Sequence, residues 1–373
     1  MLYGDEVMET TEIKITRRKL RSLVNDSKRS AKAINLIYVN DTQPGIRRIK
    51  TENGFIYKTG NKKIASKAEL NRIKRLVIPP AWENVWICPF PNGHLQVTGT
   101  DVRGRKQYKY HPLWNNLRNH TKFTNLHDFG QILPAIRKRL QKDLSLPGLP
   151  QEKVLAAAVS VMQCTCIRVG NSMYEKLYGS FGLTTLKDQH VDITGSKVEF
   201  SFKGKKGVYH NITLKSKKLA RIVQQCKDIP GKELFQYYND NGERRSIDSG
   251  MVNNYIKQIS GGSFTAKDFR TWMGTLQALG AFRQFGCRDT VTETKKKIVE
   301  ALDIVAKHLG NTRTVCKKYY VHPILIDMYT NKTLERYLKD TDHANCAELT
   351  ELDQEEKILM KILETKAAAV VIS

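Results

Sequence analysis

The spacing of hydrophobic and polar positions changes along this chain, and the changes mark out its elements. Residues 1–25 are polar without a sustained period and read as a frayed leader. A basic segment follows, with Lys28, Arg29, Lys32, Arg47, Arg48 and Lys50. From Ser66 the period is helical: Leu70, Ile73, Leu76 and Val77 share a face, Ser66 and Glu69 have capping-box spacing, and Pro79-Pro80 stops the run. The period then shortens to two. Val85–Ile87, His94–Thr98 and Arg105–Tyr110 read as strands of a meander, joined by turns at Pro89–Gly93 and Asp101–Gly104. Alternation puts Tyr108 and Tyr110 on one face of the third strand and Arg105, Gln107 and Lys109 on the other. His111–Lys122 reads as a connector. Helical spacing returns at Ile132–Leu146 and Gln151–Cys166. A hairpin interrupts it (Val198–Phe202, a turn at Lys203–Gly207, Val208–Leu214), and further helices run to Asn331. Glu348, Glu351, Asp353, Glu355 and Glu356 make an acidic segment that reads as a peripheral helix, before a loose tail from Ala367. The expected class is α+β: a leader (1–25), a small β-rich domain (26–116), a larger, mainly helical domain carrying a β-hairpin (117–345), and an acidic helix and tail (346–373).

Composition changes this picture in one respect. The chain has 373 residues, 40% of them hydrophobic, which is enough for two cores. Its 62 Lys and Arg against 37 Asp and Glu leave a formal net charge of +25, an excess that points to a polyanion partner. A basic protein of the ribosome, or one that is merely soluble, carries the same signature. The seven cysteines are scattered without a Cys-x-x-Cys pair, which suggests reduced thiols inside a cell and neither a disulfide framework nor a zinc site. No grouping of Asp, Glu and His has convincing metal-ligand spacing. The N-terminus lacks the pattern of a secretory signal, and no apolar run approaches the roughly 18 residues that cross a membrane.

Four places carry candidate chemistry. Lys205 sits at the tip of the glycine-permitted turn Phe202-Lys-Gly-Lys-Lys-Gly207, where an ammonium can enter a groove or protonate a leaving alkoxide; a solvated basic turn looks the same. Arg168, in Cys166-Ile-Arg-Val-Gly-Asn171, follows an apolar run and offers a fixed fork of donors that matches phosphate oxygens; it also fits a surface ion pair. Lys267 and Arg270 are three apart in a helix begun by Thr265 and Asp268, so they share a face that suits one phosphate or simply solvent. Tyr320 closes a helix that starts after the Gly310 stop, with Asn311 or Thr312 as cap; a tyrosine in such a place is commonly a core residue with its hydroxyl satisfied. Together they supply what phosphodiester transesterification needs without a metal: a nucleophile, cations for the phosphorane and a proton for the leaving oxygen.

In order along the chain, Ile78-Pro-Pro-Ala-Trp82, Gly104-Arg-Lys-Gln-Tyr-Lys-Tyr-His111, Arg168-Val-Gly170, Phe202-Lys-Gly-Lys205, Lys267-Asp-Phe-Arg-Thr271 and Leu309-Gly-Asn-Thr with Lys317-Lys-Tyr-Tyr320 resemble the signatures of type IB DNA topoisomerases of the compact poxvirus and bacterial type. The similarity spans residues 35 to 330. It implies a two-domain clamp on double-stranded DNA and attack by Tyr320 to give a 3′-phosphotyrosyl link. It further implies transition-state stabilisation by Arg168 and Arg270, Lys205 as general acid to the 5′ oxygen, and relaxation of supercoils of either sign with no cofactor, nucleotide or metal. Asn311 stands where the poxvirus pattern has a histidine; an asparagine transfers no proton near neutral pH but can donate a hydrogen bond to a phosphate oxygen. Arg105, Gln107, Tyr108, Tyr110, Tyr174 and Lys267 fall at positions that the resemblance, or in the case of Lys267 the shared helix face, assigns to DNA. Asn171 replaces a contact lysine, so the pentapyrimidine preference of the poxvirus branch is not carried over. The resemblance also implies a monomer, free of membrane, in the cytoplasm on a bacterial nucleoid or, if viral, in a virion or viral factory. Tyrosine recombinases share the chemistry, but they carry His-x-x-Arg where this chain has Lys267-Asp-Phe-Arg270 and lack the signatures at 78–82 and 104–111. A basic DNA binder that has lost catalysis is the remaining alternative.

Overall fold

The computed structural model describes residues 13–15, 23, 26–102, 104–286, 290–338, 349–364 and 370–372. The expected leader and Glu348 lie largely or wholly outside them. The chain divides into two compact units, Met1–Asn125 with Ala367–Ser373, and Leu126–Lys366.

In the first unit, helix α1 (Ser27–Ala33) begins at Asp26, whose carboxylate accepts from the Arg29 amide at 2.9 Å. A six-stranded antiparallel sheet follows. Its strands are β1 (Ile46–Thr51), β2 (Gly54–Thr59), β3 (Lys62–Lys63), β4 (Glu83–Ile87), β5 (Leu95–Thr100) and β6 (Lys106–Tyr110), in the order β3-β2-β1-β4-β5-β6. The expected meander is therefore one half of a larger sheet. The β1–β2 hairpin escapes a period-2 reading because its burial does not alternate cleanly. Helix α2 (Lys67–Arg75) starts at Ser66, whose hydroxyl accepts from the Glu69 amide at 3.4 Å. The Glu69 carboxylate turns to Arg72 instead of completing a capping box. Ile73 is driven into a core with Ile46, Val85, Ile87 and Val97, and Ile78 and Trp82 pack against it. Arg48 clips the Ile78–Trp82 segment by donating to the carbonyls of Pro79 at 3.0 Å and Trp82 at 2.5 Å. That motif is thus an element of the core.

The stretch expected as a connector is helical. Helix α3 runs Pro112–Asp143, opening on a proline whose missing N–H costs nothing there. Its polar first turns hide the helix because Trp114 and Leu117 supply the buried contacts. In the second unit, α4 (Gln151–Thr165) is the central helix, with Val154 to Gln163 buried throughout. A short helix α5 (Ser172–Tyr178) and a three-stranded antiparallel sheet follow, comprising β7 (Val191–Thr194), β8 (Lys197–Lys203) and β9 (Tyr209–Lys215). β8 and β9 are the expected hairpin, in the register Phe202↔His210. Next come α6 (Lys217–Lys227), the small ladder β10 (Gln236–Tyr238) with β11 (Arg244–Ser246), and α7 (Ser249–Ser260). The unit continues with α8 (Ala266–Phe285), α9 (Val291–Leu309), α10 (Arg313–Tyr319) and α11 (Pro323–Thr330).

The acidic segment is not peripheral. Helix α12 (Gln354–Glu364) buries Glu356, Leu359, Ile362 and Leu363. Glu356, 1% exposed, receives both terminal nitrogens of Arg137 at 2.8 Å and Trp272 Nε1 at 2.9 Å. Gly280 makes room for Glu355, to which Arg283 Nη1 pairs at 3.3 Å. Three residues of α8, Trp272, Gly280 and Arg283, thus meet α12. Counting acids along the segment does not reveal that one carboxylate has a buried arginine waiting for it. Within the tail, Val370–Ile372 pair antiparallel with Ile13–Ile15. Among the described residues no helix is long and apolar enough to cross a membrane.

Candidate active site

Three backbone turns in the second unit bring the candidate groups together. The first ends α4. Cys166 takes a left-handed conformation (φ 56°), and the chain turns out of the helix. It then runs beside residues 182–184, with Leu183 N donating to Arg168 O at 2.8 Å and Thr184 N to Val169 O at 2.7 Å. A Cβ on Gly182 would lie 2.6 Å from both Arg168 O and Gly170 Cα, and Gly170 has φ +95°. Only glycine allows this backbone approach. The glycine of Arg168-Val-Gly170 is therefore there to hold the arginine's own backbone.

The second turn ends α9 at Gly310 (φ 59°) and leads into α10, which Thr312 caps by accepting from Val315 N at 3.4 Å. Arg168 Nη2 donates to Gly310 O at 2.8 Å and to Asn311 Oδ1 at 2.7 Å. With its oxygen so engaged, the Asn311 amide group keeps N–H donors, one of them 3.4 Å from Leu309 O. Tyr320 is the residue after α10, its amide bonded to Cys316 O at 2.9 Å. The Tyr320 carbonyl accepts from Thr275 Oγ1 at 3.1 Å, and a Cβ on Gly274 would lie 2.9 Å from that same oxygen. Gly274 and Thr275 therefore seat the tyrosine on α8.

Arg270 is the deepest of the cations, 5% exposed. It donates through Nη1 to Cys166 O and through Nη2 to Leu309 O at 2.9 Å, joining the ends of α4 and α9. Its Nε is buried without a hydrogen-bond partner. Its Cζ lies 5.2 Å from the Tyr320 ring centroid. Among the described residues, Arg168 and Arg270 bond only to neutral oxygens and form no ion pair with a carboxylate. Burial, and next the neighbouring Arg270 charge, pull the Arg168 pKa down to about 10, which leaves it protonated at neutral pH. Burial likewise lowers His308, with Arg270 adding to the effect, and lowers His210, with Arg168 and Arg270 adding. Cys316 is pushed up to about 11 by burial, against the pull of both arginines, so it stays a thiol at neutral pH.

The third turn is the hairpin tip. Gly204 N donates to Val208 O at 2.7 Å, and Lys206 and Gly207 have φ of 62° and 78°. Lys205 is exposed there, with Nζ 5.7 Å from the Tyr174 ring centroid. Arg168, Arg270, Asn311 and Tyr320 thus form one connected group, and Lys205 and Tyr174 form a second contact at the hairpin. Lys267 is exposed while Arg270 is buried, so the helix face expected to be shared by both is split by depth. In the first unit, Arg105 Nε and Gln107 Nε2 both donate to Asp101 Oδ2 at 2.8 Å. Tyr108 and Tyr110 are exposed and stacked, with centroids 6.1 Å apart and planes 7° from parallel.

His210 was missed by sequence reasoning. It lies on the half-buried face of β9 with Ile212 and Leu214. Period-2 alternation from Leu214 places it there, so the signal was present in the hairpin.

Both units of the chain match known proteins. Residues 111–345 match the model of the eukaryotic DNA topoisomerase I catalytic core, and residues 54–101 that of the bacterial DNA topoisomerase IB N-terminal domain. A DNA topoisomerase 1B of Acanthamoeba polyphaga mimivirus is 32% identical over 296 residues, covering 77% of this chain and 88% of that protein. A DNA topoisomerase 1B of vaccinia virus (strain Copenhagen) is 25% identical over 240 residues, covering 64% and 73%. A solved XerH site-specific recombinase bound to its difH substrate matches over 52% of this chain and 49% of that one, at 12% identity and a TM-score of 0.33.

Proposed function

The chain belongs to the type IB DNA topoisomerase family, and we propose that Tyr320 is its nucleophile, with Arg168, Arg270 and Asn311 around the phosphate and Lys205 as general acid. One observation carries this reading: the buried Arg270 guanidinium lies over the Tyr320 ring, the half-buried Arg168 guanidinium is held on the Gly310–Asn311 turn, and neither pairs with a carboxylate among the described residues. Buried positive charge is costly unless an anion joins it. A phosphodiester brings that anion, and the pentacoordinate transition state carries more charge than the ground state, so fixed donors favour it further.

Each group has a task that follows from its surroundings. The Tyr320 oxygen bonds to phosphorus as its proton passes to solvent water, and the bond to the 5′ oxygen breaks. Lys205 supplies a proton to that oxygen, so the step is balanced. Arg168 and Arg270 are held by carbonyls on one side and keep N–H donors for the non-bridging oxygens. Asn311 orients through Arg168 and presents its amide N–H. The broken strand rotates about the intact one, and the 5′ hydroxyl then reverses the attack. The phosphotyrosine conserves the bond energy, so no nucleotide is consumed. Tyr174, Lys267, Arg105, Gln107, Tyr108 and Tyr110 serve the duplex: the exposed tyrosines offer stacking and hydroxyl donors, and the cations meet phosphates. The enzyme acts as a monomer.

The test is relaxation of negatively and positively supercoiled plasmid in EDTA without ATP, with Tyr320→Phe beside the wild type. Wild type is expected to relax both signs, and the variant to bind DNA and relax neither. Relaxation by Tyr320→Phe would remove the nucleophile from this position. Binding without relaxation by the wild type would favour a recombinase or a silent binder.

A further inference from the structure

The hairpin that presents Lys205 returns through β9, and the second residue of that strand puts an imidazole among the catalytic turns. His210 lies opposite Phe202 across the ladder and stacks on it, with centroids 5.1 Å apart and planes 21° from parallel. The far edge of the ring meets two glycines. A Cβ on Gly204 would lie 2.6 Å from His210 Cδ2 and 2.7 Å from Nε2; one on Gly310 would lie 2.4 Å from Cε1 and 2.9 Å from Nε2. The ring therefore fills the space a side chain would need at both positions, a contact as close as packed interiors permit. Gly204 immediately precedes Lys205, and Gly310 immediately precedes Asn311. The Gly310 carbonyl and the Asn311 amide oxygen are both held by Arg168. One imidazole is thus wedged between the lysine's turn and the loop that the arginine fixes.

We propose that His210 is a positioning residue for the general acid, seating the Lys205 turn against Gly310–Asn311 so that the ammonium reaches the departing 5′ oxygen. The inference rests on the role given to Lys205 above. The turn's own hydrogen bonds, Gly204 N to Val208 O at 2.7 Å and Gly207 N to Gly204 O at 3.1 Å, set its shape but not its place relative to Arg168. Gly204 has no side chain to anchor it, and Lys205 is an exposed, flexible stem. The wedge supplies the missing constraint. The charged groups that bear on the ring are Arg168, from the segment after α4, and Arg270, from α8; with burial they keep the imidazole neutral near pH 7. A neutral flat ring fits between two turns in a cationic site where a charged one would be repelled.

A duplex with sulfur replacing the bridging 5′ oxygen at a mapped cleavage site separates this role from a general loosening. A thiolate leaves without being protonated, so a defect in proton delivery disappears with sulfur, whereas a defect in holding the phosphate persists. Single-turnover cleavage is measured on both duplexes for wild type, Lys205→Ala, Arg168→Ala, His210→Ala and His210→Gln, with DNA affinity measured for each. His210→Ala is expected to lose about ten-fold or more on the oxygen duplex and to come within about two-fold of wild type on the sulfur duplex. Lys205→Ala should show the same relief, and Arg168→Ala should stay slow on both. His210→Gln, planar and of similar reach, should fall between wild type and His210→Ala on oxygen and match wild type on sulfur; it carries the comparison if the alanine variant no longer binds DNA. Equal loss on both duplexes, or no loss on either, overturns the proposal. If Lys205→Ala gains nothing from sulfur, the role of Lys205 falls instead, and the two failures are told apart.

Discussion

At the scale of single residues, the site is organised by what each cation lacks. Arg168 and Arg270 spend donors on the carbonyls of Gly310, Cys166 and Leu309, which orient them without cancelling their charge. A carboxylate in either place would have neutralised the site before substrate arrived. Asn311 sits one bond further out, its oxygen fixed by Arg168 at 2.7 Å. In the role proposed for it, Asn311 acts on the transition state more than on the bound duplex. Asn311→Ala is expected to slow single-turnover cleavage by roughly ten-fold or more while DNA affinity changes by less than about three-fold, since a single oxyanion-type donor acts where charge develops. Equal losses in rate and affinity would show that Asn311 only helps hold DNA. The candidate groups can be picked out along the chain because the chemistry they suit asks for those residue types: a phenol, guanidiniums and an ammonium in recognisable neighbourhoods. For His210, alternation along its strand marks the half-buried face but not the two glycines, Gly204 and Gly310, that close on its ring.

At the scale of elements, α8 is the platform. It buries Arg270, seats Tyr320 through Gly274 and Thr275, and receives α12 through Trp272 and Gly280. The buried pair Arg137–Glu356 fastens α12 to α3. Breaking such a pair leaves one charge uncompensated, so Glu356→Gln is expected to cost about 3–5 kcal/mol of stability, read by denaturant unfolding. It should also lower relaxation, because Trp272 lies two residues from Arg270. Unchanged stability would mean that Arg137 finds another partner. Periodicity located α4, α8, α9 and the β8–β9 hairpin, whose apolar stripes are strong. It missed the first turns of α3 and the burial of α12, where polar residues are buried by pairing and not by hydrophobicity.

At the scale of the whole molecule, charge and pH act together. Burial lowers the pKa of His94, His111, His190, His210 and His308 below the ordinary histidine value, with nearby cations adding to the effect at His190, His210 and His308. The unfolded chain then binds protons that the folded chain refuses. Stability is therefore whole above a pH of about 6.5 and falls as pH drops through the unfolded value toward the lower folded ones. Asp188 and Asp268 are shifted upward by burial and work in the opposite sense, but from a carboxylate starting point at lower pH. The melting temperature is expected to be lower at pH 5.5 than at pH 7.5, and His308→Gln, which removes one such site, should narrow the gap. A melting temperature that is flat between those values would show that the histidines are solvated. With a net charge of +25, duplex binding should weaken steeply with salt, by about 10³ or more between 50 and 200 mM if six or more phosphates are contacted.

The order of the motifs from Ile78 to Tyr320 was enough, by itself, to determine the family and the α+β class and to single out the candidate reacting groups, because each depends on residue type and local spacing. Strand alternation and helix stops such as Gly310 are local as well, governed by backbone conformations a few residues long. The tertiary structure decided what depends on distant partners. It set the depth that separates Arg270 from Lys267, the glycine-to-glycine approach that holds Arg168, the burial of Glu356 and the wedge of His210. Burial and pairing are properties of residues far apart in the chain, and a pattern read along one strand or helix does not contain them.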